Sequence, residues 1–139
     1  MNDKATGRSD RPRVLLVDDS PTALVVLQAV FEGEHYDVVT AGDGMDGFEK
    51  AQRFAPDLLI TDGLMPGIDG FELIRMLKAH PATRLIPVIM LTSADVRDAE
   101  YQNRQPQPDA FMAKSMQMEP LLSRVKDMLA TAPGSPKGL

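Results

Sequence analysis

The sequence has no cysteine, and this absence excludes disulfide bonds and thiolate metal sites. Its two histidines, His35 and His80, lie far apart in the chain and lack the spacing of zinc ligands. No apolar run approaches the roughly 18 residues that a membrane-spanning helix requires. The polar N-terminus has no apolar signal core either, so we expect a cytoplasmic protein that does not insert into a membrane.

The sequence has fewer basic than acidic residues: 15 Lys and Arg residues and 20 Asp and Glu residues give a formal net charge of -5. The sequence shows no basic stripe that could neutralise phosphates, so we expect no direct binding to nucleic acid. The hydrophobic fraction of 43% and the charged fraction of 25% are ordinary for a globular protein. A chain of 139 residues is long enough to form one domain with its own core.

Apolar runs alternate with helical patterns between two polar ends. We expect residues 13–131 to form the domain, residues 1–12 to be a flexible tail, and residues 132–139 to be a second tail or the start of a linker. Short apolar runs predict five strands, at RVLLVDD, YDVVTA, DLLITD, IPVIMLT and DAFMAK. Apolar residues at helical spacing predict five helices, at PTALVVLQAVFEGE, DGMDGFEKAQRFAP, DGFELIRMLKAH, SADVRDAEYQNRQ and MEPLLSRVKDMLA.

Strands that are apolar on both faces are typical of a parallel sheet that helices cover on each side. With right-handed crossovers, the alternation predicts an α/β fold with a doubly wound, flavodoxin-like sheet of five parallel strands in the order 2-1-3-4-5. In such folds the functional crevice lies outside the carboxyl ends of the strands, where the strand order reverses. Here that point lies between the first and third strands.

Five chemically active residues follow or end the strands that meet at this edge. Asp18 and Asp19 follow the first strand, Asp62 ends the third, Thr92 ends the fourth and Lys114 ends the fifth. The three carboxylates should therefore converge, although two like charges about 4 Å apart repel by about 4 kcal/mol at an effective dielectric of about 20. A positive group has to offset that repulsion.

A hard divalent cation such as Mg²⁺ would supply the missing charge, because it prefers carboxylate, carbonyl and phosphate oxygens. The backbone carbonyl of Leu64, in the Gly- and Pro-rich turn after Asp62, is a further candidate ligand. Lys114 could pair with Asp62 or with a phosphoryl oxygen, and Thr92 offers a hydroxyl to a nearby anion. Such a site suits an aspartate that attacks phosphorus while a metal and a lysine stabilise the transferred group.

Each of these residues also has a structural explanation when it is taken alone. Asp18 and Asp19 could form the N-cap of the first helix, and Asp62 could cap the third. Thr92 and Lys114 alone carry no functional signal. The arrival of all five at one sheet edge favours the functional interpretation.

The sequence closely resembles the receiver (CheY-like) domain of bacterial two-component response regulators. The resemblance covers about residues 12–131 and rests on RVLLVDDS, PDLLITDGLMPGIDGFEL, IPVIMLT and DAFMAK. It implies a phosphorylation-controlled signalling domain that receives a phosphoryl group from a histidine kinase or phosphotransfer protein. Such a domain catalyses only its own phosphorylation and dephosphorylation and signals by docking to another protein. No output domain follows residue 131, so we expect a receiver of the stand-alone type.

The same resemblance assigns roles to individual residues. Asp62 would be the phosphoacceptor, Thr92 would close onto the phosphoryl group and Lys114 would pair with it. Phe111 falls at the position of the family's switch aromatic, which turns inward on activation. The resemblance also implies a Mg²⁺ site, with ligands from Asp18, Asp19, Asp62 and the Leu64 carbonyl.

The chain departs from the family pattern around its fifth strand. Lys114 is followed by Ser115, where the family has a proline after a cis bond, and a non-proline cis bond costs roughly 2.5–4 kcal/mol. Gln107 replaces a glycine in the segment QNRQPQPD, where Pro106 and Pro108 forbid helix. We therefore expect the fourth predicted helix to be short, to end by about residue 104 and to be the least protected helix of the fold.

Other functions fit the sequence less well. A Mg²⁺-dependent aspartyl-phosphate phosphatase is the main alternative, but its nucleophile usually sits in a D-x-D arrangement on the first strand, which here reads VDDSPT. A binding module that is never phosphorylated would be expected to lack one of the five site residues. Flavin binding suits the fold but not the acids. A receiver that belongs to a longer effector protein is also an open alternative.

Overall fold

Five parallel strands form the centre of the computed structural model, which describes residues 10–93, 102–115 and 117–131. Their order is β2-β1-β3-β4-β5, and every neighbouring pair is parallel. This order confirms the predicted doubly wound, flavodoxin-like sheet. The strands are β1 (Arg13–Val17), β2 (Asp37–Ala41), β3 (Leu58–Asp62), β4 (Val88–Thr92) and β5 (Ala110–Ala113).

Four helices complete the described part of the fold: α1 (Pro21–Gly33), α2 (Gly44–Phe54), α3 (Gly70–Lys78) and α4 (Glu119–Thr131). The fourth of the five predicted helices falls mainly on residues 94–101, which lie outside the described residues. Gln102 and Asn103 are helical and Arg104 is not, in agreement with a predicted end near residue 104. Among the described residues, no helix has the length and apolar content needed to cross a membrane.

Side-chain caps set where three of these helices begin. The side chains of Ser20, Asp43 and Asp69 accept hydrogen bonds from backbone amides in the first turns of α1, α2 and α3. Pro21 occupies the first helical position of α1, where its missing amide hydrogen costs nothing. The caps of α1 and α3 are therefore not the acids at the strand ends, and the capping interpretation of Asp62 is wrong.

Alternate strand residues pack into two separate cores, one on each face of the sheet. On one face, residues of β1, β3 and β4 pack against α2 and α3, with Leu15, Leu59, Met90, Phe71, Ile74 and Leu77 among them. On the other face, residues of the same strands pack against α1 and α4, with Leu16, Ile60, Ile89, Phe31, Leu121 and Val125 among them. Burial on both faces explains why the strands are continuously apolar and confirms the predicted layer arrangement.

A buried arginine closes the edge of the sheet opposite the carboxyl ends of the strands. Arg13 is only 7% exposed. Its Nε donates to Asp37 Oδ2 over 2.8 Å, and its Nη1 donates to the carbonyl of Phe54 over 2.7 Å. Its own amide donates to Asp57 Oδ2 over 2.8 Å. One residue thus joins β1 to β2, to the end of α2 and to the loop before β3.

We expect Arg13→Ala to lower the free energy of unfolding by about 2–4 kcal/mol, because it leaves the Asp37 carboxylate and the Phe54 carbonyl without their donor and opens a cavity. Urea unfolding measures this change. Arg84→Ala is the control, since Arg84 is exposed and its loss should change stability by less than about 0.5 kcal/mol. Equal losses in the two variants would show that the Arg13 network contributes little.

Candidate functional site

Three carboxylates converge at the carboxyl edge of the sheet, as the strand ends predict. Asp18, Asp19 and Asp62 each offer an oxygen, and these three oxygens lie within 4.8 Å of one another. Asp18 is buried at 2% exposure, Asp19 is exposed, and the Asp62 side chain is 11% exposed. The cluster therefore opens to solvent on the Asp19 side and is closed on the Asp18 side.

Strand register brings these acids together. Val17 pairs with Thr61 across β1 and β3, so the next residue on each strand, Asp18 and Asp62, comes level at the sheet edge. The Asp18 amide donates to the carbonyl of Ala41, and Asp18 Oδ1 accepts from the Ser20 amide over 2.9 Å. The second of these bonds turns the chain out of β1 and fixes one carboxylate oxygen.

Lys114 bridges two of the three acids. Its Nζ lies 3.1 Å from Asp62 Oδ2 and 3.2 Å from Asp18 Oδ2. Burial of the ammonium acts to lower the pKa of Lys114, but the hydrogen bond to Asp62 and the charges of Asp18 and Asp62 outweigh it and raise this pKa overall. Lys114 is therefore held as a cation. The sequence predicted the pair with Asp62, whereas the contact with Asp18 appears only in the structure.

Thr92 lies at the same edge of the sheet, and Leu64 contacts one of the acids. Thr92 is the last residue of β4 and is 1% exposed, and its carbonyl accepts the Lys114 amide over 2.9 Å. The Leu64 amide lies 3.4 Å from Asp62 Oδ1, so it contacts the carboxylate oxygen that Lys114 does not hold. The structure thus brings together the five residues predicted from the strand ends, with Leu64 beside them.

The turn after Asp62 packs closely against the strand that carries this acid. The Gly63 amide donates to the Leu91 carbonyl, and the Gly70 amide donates to the Gly63 carbonyl, each over 3.0 Å. A Cβ atom on Gly70 would lie 2.6 Å from the Asp62 carbonyl oxygen. Gly67 has a φ of 80°, a conformation that glycine adopts readily. The sharp exit from β3 therefore depends on glycine at two positions.

Phe111 lies on β5, where it pairs in register with Met90. Its ring is partly buried against the core and lies 6.0 Å from the Phe71 ring, at an interplanar angle of 52°. Among the described residues the cis peptide bonds comprise only Gln105–Pro106, so the Lys114–Ser115 bond is trans. The chain thus carries its lysine without the cis bond that the family pattern would suggest.

Sequence analysis missed Arg104, a residue with no motif around it. Its Nη2 lies 3.1 Å and 3.3 Å from the two carboxylate oxygens of Asp69. Its guanidinium carbon stands 4.4 Å from the centroid of the Phe71 ring. Partners 33 and 35 residues away leave no local signal, so only the tertiary structure reveals this cluster.

The donor set of the acid cluster suits a hard cation. Three carboxylates face one lysine ammonium, so two negative charges remain uncompensated, which matches the charge of one divalent ion. All the candidate ligand atoms are oxygens, as Mg²⁺ prefers. The arrangement can therefore hold a divalent cation and present a partly desolvated carboxylate beside it.

Comparison with known proteins identifies relatives along most of the chain. The family model described as "Response regulator receiver domain" matches residues 14–126. Protein PilH of Pseudomonas aeruginosa is 37% identical over 119 residues, which cover 85% of this chain and 98% of PilH. The response regulator PleD of Caulobacter vibrioides is 37% identical over 116 residues, which cover 84% of this chain but only 26% of PleD. The chain thus spans about a quarter of PleD.

The fold is also similar to solved structures. One is the receiver domain of a sensor histidine kinase from Pseudomonas aeruginosa, whose structure has a magnesium ion coordinated in the active site cleft. The two chains superpose with a TM-score of 0.77 at 25% identity, over 84% of this chain and 96% of the other.

We expect Gly70→Ala to lower the free energy of unfolding by about 1–3 kcal/mol, because the new methyl group would overlap the Asp62 carbonyl oxygen. Gly33→Ala is the matched control, since no atom lies within 4 Å of the added Cβ and alanine is the better helix former. Urea unfolding should therefore separate the two variants in opposite directions. A Gly70→Ala protein as stable as the Gly33→Ala protein would contradict the close packing described above.

Proposed function

The chain belongs to the response regulator receiver domain family, and from this premise we propose that Asp62 accepts a phosphoryl group from a histidine kinase or phosphotransfer protein. Receiver domains are phosphorylation-controlled signalling domains. The observation that carries the assignment is the placement of Asp62, level with Asp18 at the sheet edge and 3.1 Å from the Lys114 ammonium. It is the acid of the cluster that is partly exposed and also paired with the lysine.

In the proposed reaction, a carboxylate oxygen of Asp62 forms a bond to phosphorus while the P–N bond of a phosphohistidine breaks. The departing imidazole nitrogen keeps the electron pair of that bond, so the charges balance. Lys114 and the Leu64 amide hold separate oxygens of Asp62, and this fixes the direction in which the carboxylate faces. Fixed orientation of the nucleophile is one source of rate enhancement.

Asp18, Asp19, Asp62 and the carbonyl of Leu64 are the groups we propose to hold Mg²⁺. The bound ion would neutralise the acids and the charge on the phosphoryl oxygens. After transfer, Lys114 is proposed to pair with a phosphoryl oxygen in place of the Asp62 oxygen, and the Thr92 hydroxyl is proposed to donate to another. The magnesium ion in the active site cleft of the similar receiver from Pseudomonas aeruginosa supports a metal site in this chain.

Signalling is proposed to proceed through docking of the phosphorylated protein to another protein, with Phe111 as the switch aromatic. Residues 13–131 are proposed as the receiver domain and residues 1–12 and 132–139 as flexible tails. We propose that the domain acts in the cytoplasm, catalyses only its own phosphorylation and dephosphorylation, and does not bind nucleic acid directly. The net charge of -5 supports the last of these points.

Acetyl phosphate with Mg²⁺ should add one phosphoryl group to the protein, detectable by intact mass as an adduct that hydroxylamine removes. Asp62→Asn should abolish this adduct, because the amide is a poor nucleophile. Asp127→Asn, which changes an acid on α4 far along the chain from the cluster, should leave labelling unchanged. Equal labelling of the Asp62→Asn protein and the wild type would show that another residue accepts the phosphoryl group.

Mg²⁺ should stabilise the folded protein by mass action. At about ten times its dissociation constant, the ion should add about 1.4 kcal/mol to the free energy of unfolding and raise Tm by about 4 °C. Asp19→Asn should reduce this shift, because it removes one proposed ligand. Glu49→Gln, an exposed acid on α2, should not, and Na⁺ at equal ionic strength should not reproduce the shift. An undiminished shift in Asp19→Ala and Asp19→Asn would exclude this ligand set.

A further inference from the structure

Arg104 joins the segment that precedes β5 to the first turn of α3. Its guanidinium contacts both oxygens of Asp69, at 3.1 Å and 3.3 Å, and stacks 4.4 Å from the Phe71 centroid. Asp69 is the N-cap of α3, and its Oδ1 also accepts the Glu72 amide over 2.9 Å. The Asp69 carboxylate is therefore held by the first turn of α3 as well as by Arg104. Both contacts with Asp69 come from Nη2, and the planar guanidinium also lies over the Phe71 ring, a stack that a tetrahedral ammonium cannot reproduce.

The first turn of α3 connects Arg104 to the acceptor. Gly70 packs so closely on the Asp62 carbonyl that no Cβ fits between them. The next residue, Phe71, is 3% exposed, and its ring lies 6.0 Å from the Phe111 ring. Phe71 is therefore in contact with Arg104 and Phe111, and its neighbour in the chain packs on Asp62.

The backbone around Arg104 is itself held in place. Gln107 Nε2 donates to the Arg104 carbonyl over 2.6 Å. Two residues later, the Asp109 amide donates to the Val88 carbonyl over 2.9 Å, and Asp109 Oδ2 accepts the Val88 amide over 2.8 Å. The segment from Arg104 to Asp109 is thus fastened to the start of β4. Arg104 reaches α3 from an anchored position, so its contacts can restrain Phe71.

We propose that Arg104 is a positioning residue for the phosphorylation switch, because its clasp on Asp69 and Phe71 holds the Phe71 ring against Phe111 and keeps Phe111 partly buried. The clasp is defined by Arg104, Asp69 and Phe71. This inference rests on the proposed function for its role in switching. Its structural part, the restraint on Phe111, holds whether or not Asp62 is phosphorylated.

The restraint is tested in the unphosphorylated protein. The five phenylalanines are replaced by 4-fluorophenylalanine, and the Phe111 signal in the ¹⁹F spectrum is assigned from its loss in Phe111→Leu. Arg104→Gln should broaden or split that signal, because the ring then samples a second position. Arg104→Lys should behave like Arg104→Gln, since the charge remains but the planar stack on Phe71 is lost. Asp69→Asn should give a smaller change, because the amide oxygen still caps α3.

The role in switching is tested with beryllofluoride and Mg²⁺, a mimic of the phosphoryl group. We expect Arg104→Gln and Arg104→Lys to weaken beryllofluoride binding by about three- to tenfold, the size expected for loss of a partly exposed stack and ion pair. Arg53→Gln is the matched control. Arg53 also pairs with an acid, Glu49 at 3.8 Å, and stacks on a phenylalanine, Phe54 at 5.5 Å, but it lies at the end of α2.

The outcomes separate the two proposals. If the wild type fails to bind beryllofluoride while the Phe111 signal still responds to Arg104→Gln, the proposed function is wrong and the clasp remains. If the wild type binds beryllofluoride and the variants match it in both affinity and Phe111 signal, the proposed role of the clasp is wrong. The proposed role of the clasp is also wrong if Arg53→Gln weakens beryllofluoride binding as much as Arg104→Gln does. Should Arg104→Gln prove unfolded by circular dichroism, Arg104→Lys and Asp69→Asn decide by the same two measurements.

Discussion

Repulsion among three carboxylates is the constraint on which the carboxyl edge of this sheet depends. Parallel register forces Asp18 and Asp62 level with each other, and the turn after β1 adds Asp19. Lys114, the residue after β5, offsets part of that repulsion by contacting Asp18 and Asp62, although β5 lies two strands away from β3. The lysine can do so only if β4 and β5 keep their places, and the Thr92 carbonyl helps by accepting the Lys114 amide. The electrostatic balance of the site therefore depends on the order of the strands in the sheet.

The fold and the acid cluster could be predicted from sequence because both follow from short-range patterns. Continuous apolar runs indicate buried parallel strands, and the topology rule then carries Asp18, Asp62 and Lys114 to one edge. What could not be predicted are contacts set by side-chain reach across the fold. The bridge from Lys114 to Asp18, the buried network of Arg13 and the clasp of Arg104 all join residues at least 24 positions apart. No periodicity encodes such contacts.

The capping alternatives show the same division between local and tertiary information. Each acid considered as a cap stands one or more residues before a better candidate, because Ser20 caps α1 and Asp69 caps α3. Ser20 and Asp69 each lie immediately before the first helical residue, whereas Asp62 ends a strand. With these caps assigned, helix capping does not explain the cluster acids, although Asp18 Oδ1 also accepts the Ser20 amide in the turn after β1. Lys114 offsets only one of the three charges, and a partly buried charge is costly, so a cluster of acids that cap no helix favours a functional interpretation.

The two ends of the sheet use charge in opposite ways. At the amino end, Arg13 is buried and its partners are protein groups, so it fixes β1, β2 and α2 in one arrangement. At the carboxyl end, the charges of the acids exceed that of Lys114, and the proposed Mg²⁺ would supply the balance. The clasp of Arg104 lies between these extremes, because Arg104 is 41% exposed and its partner Asp69 is 26% exposed. Ion pairs at such exposure are worth little individually. A contact of that strength changes a conformational equilibrium by a few-fold, and this suits a restraint on Phe111 better than it suits a contact that holds the fold together.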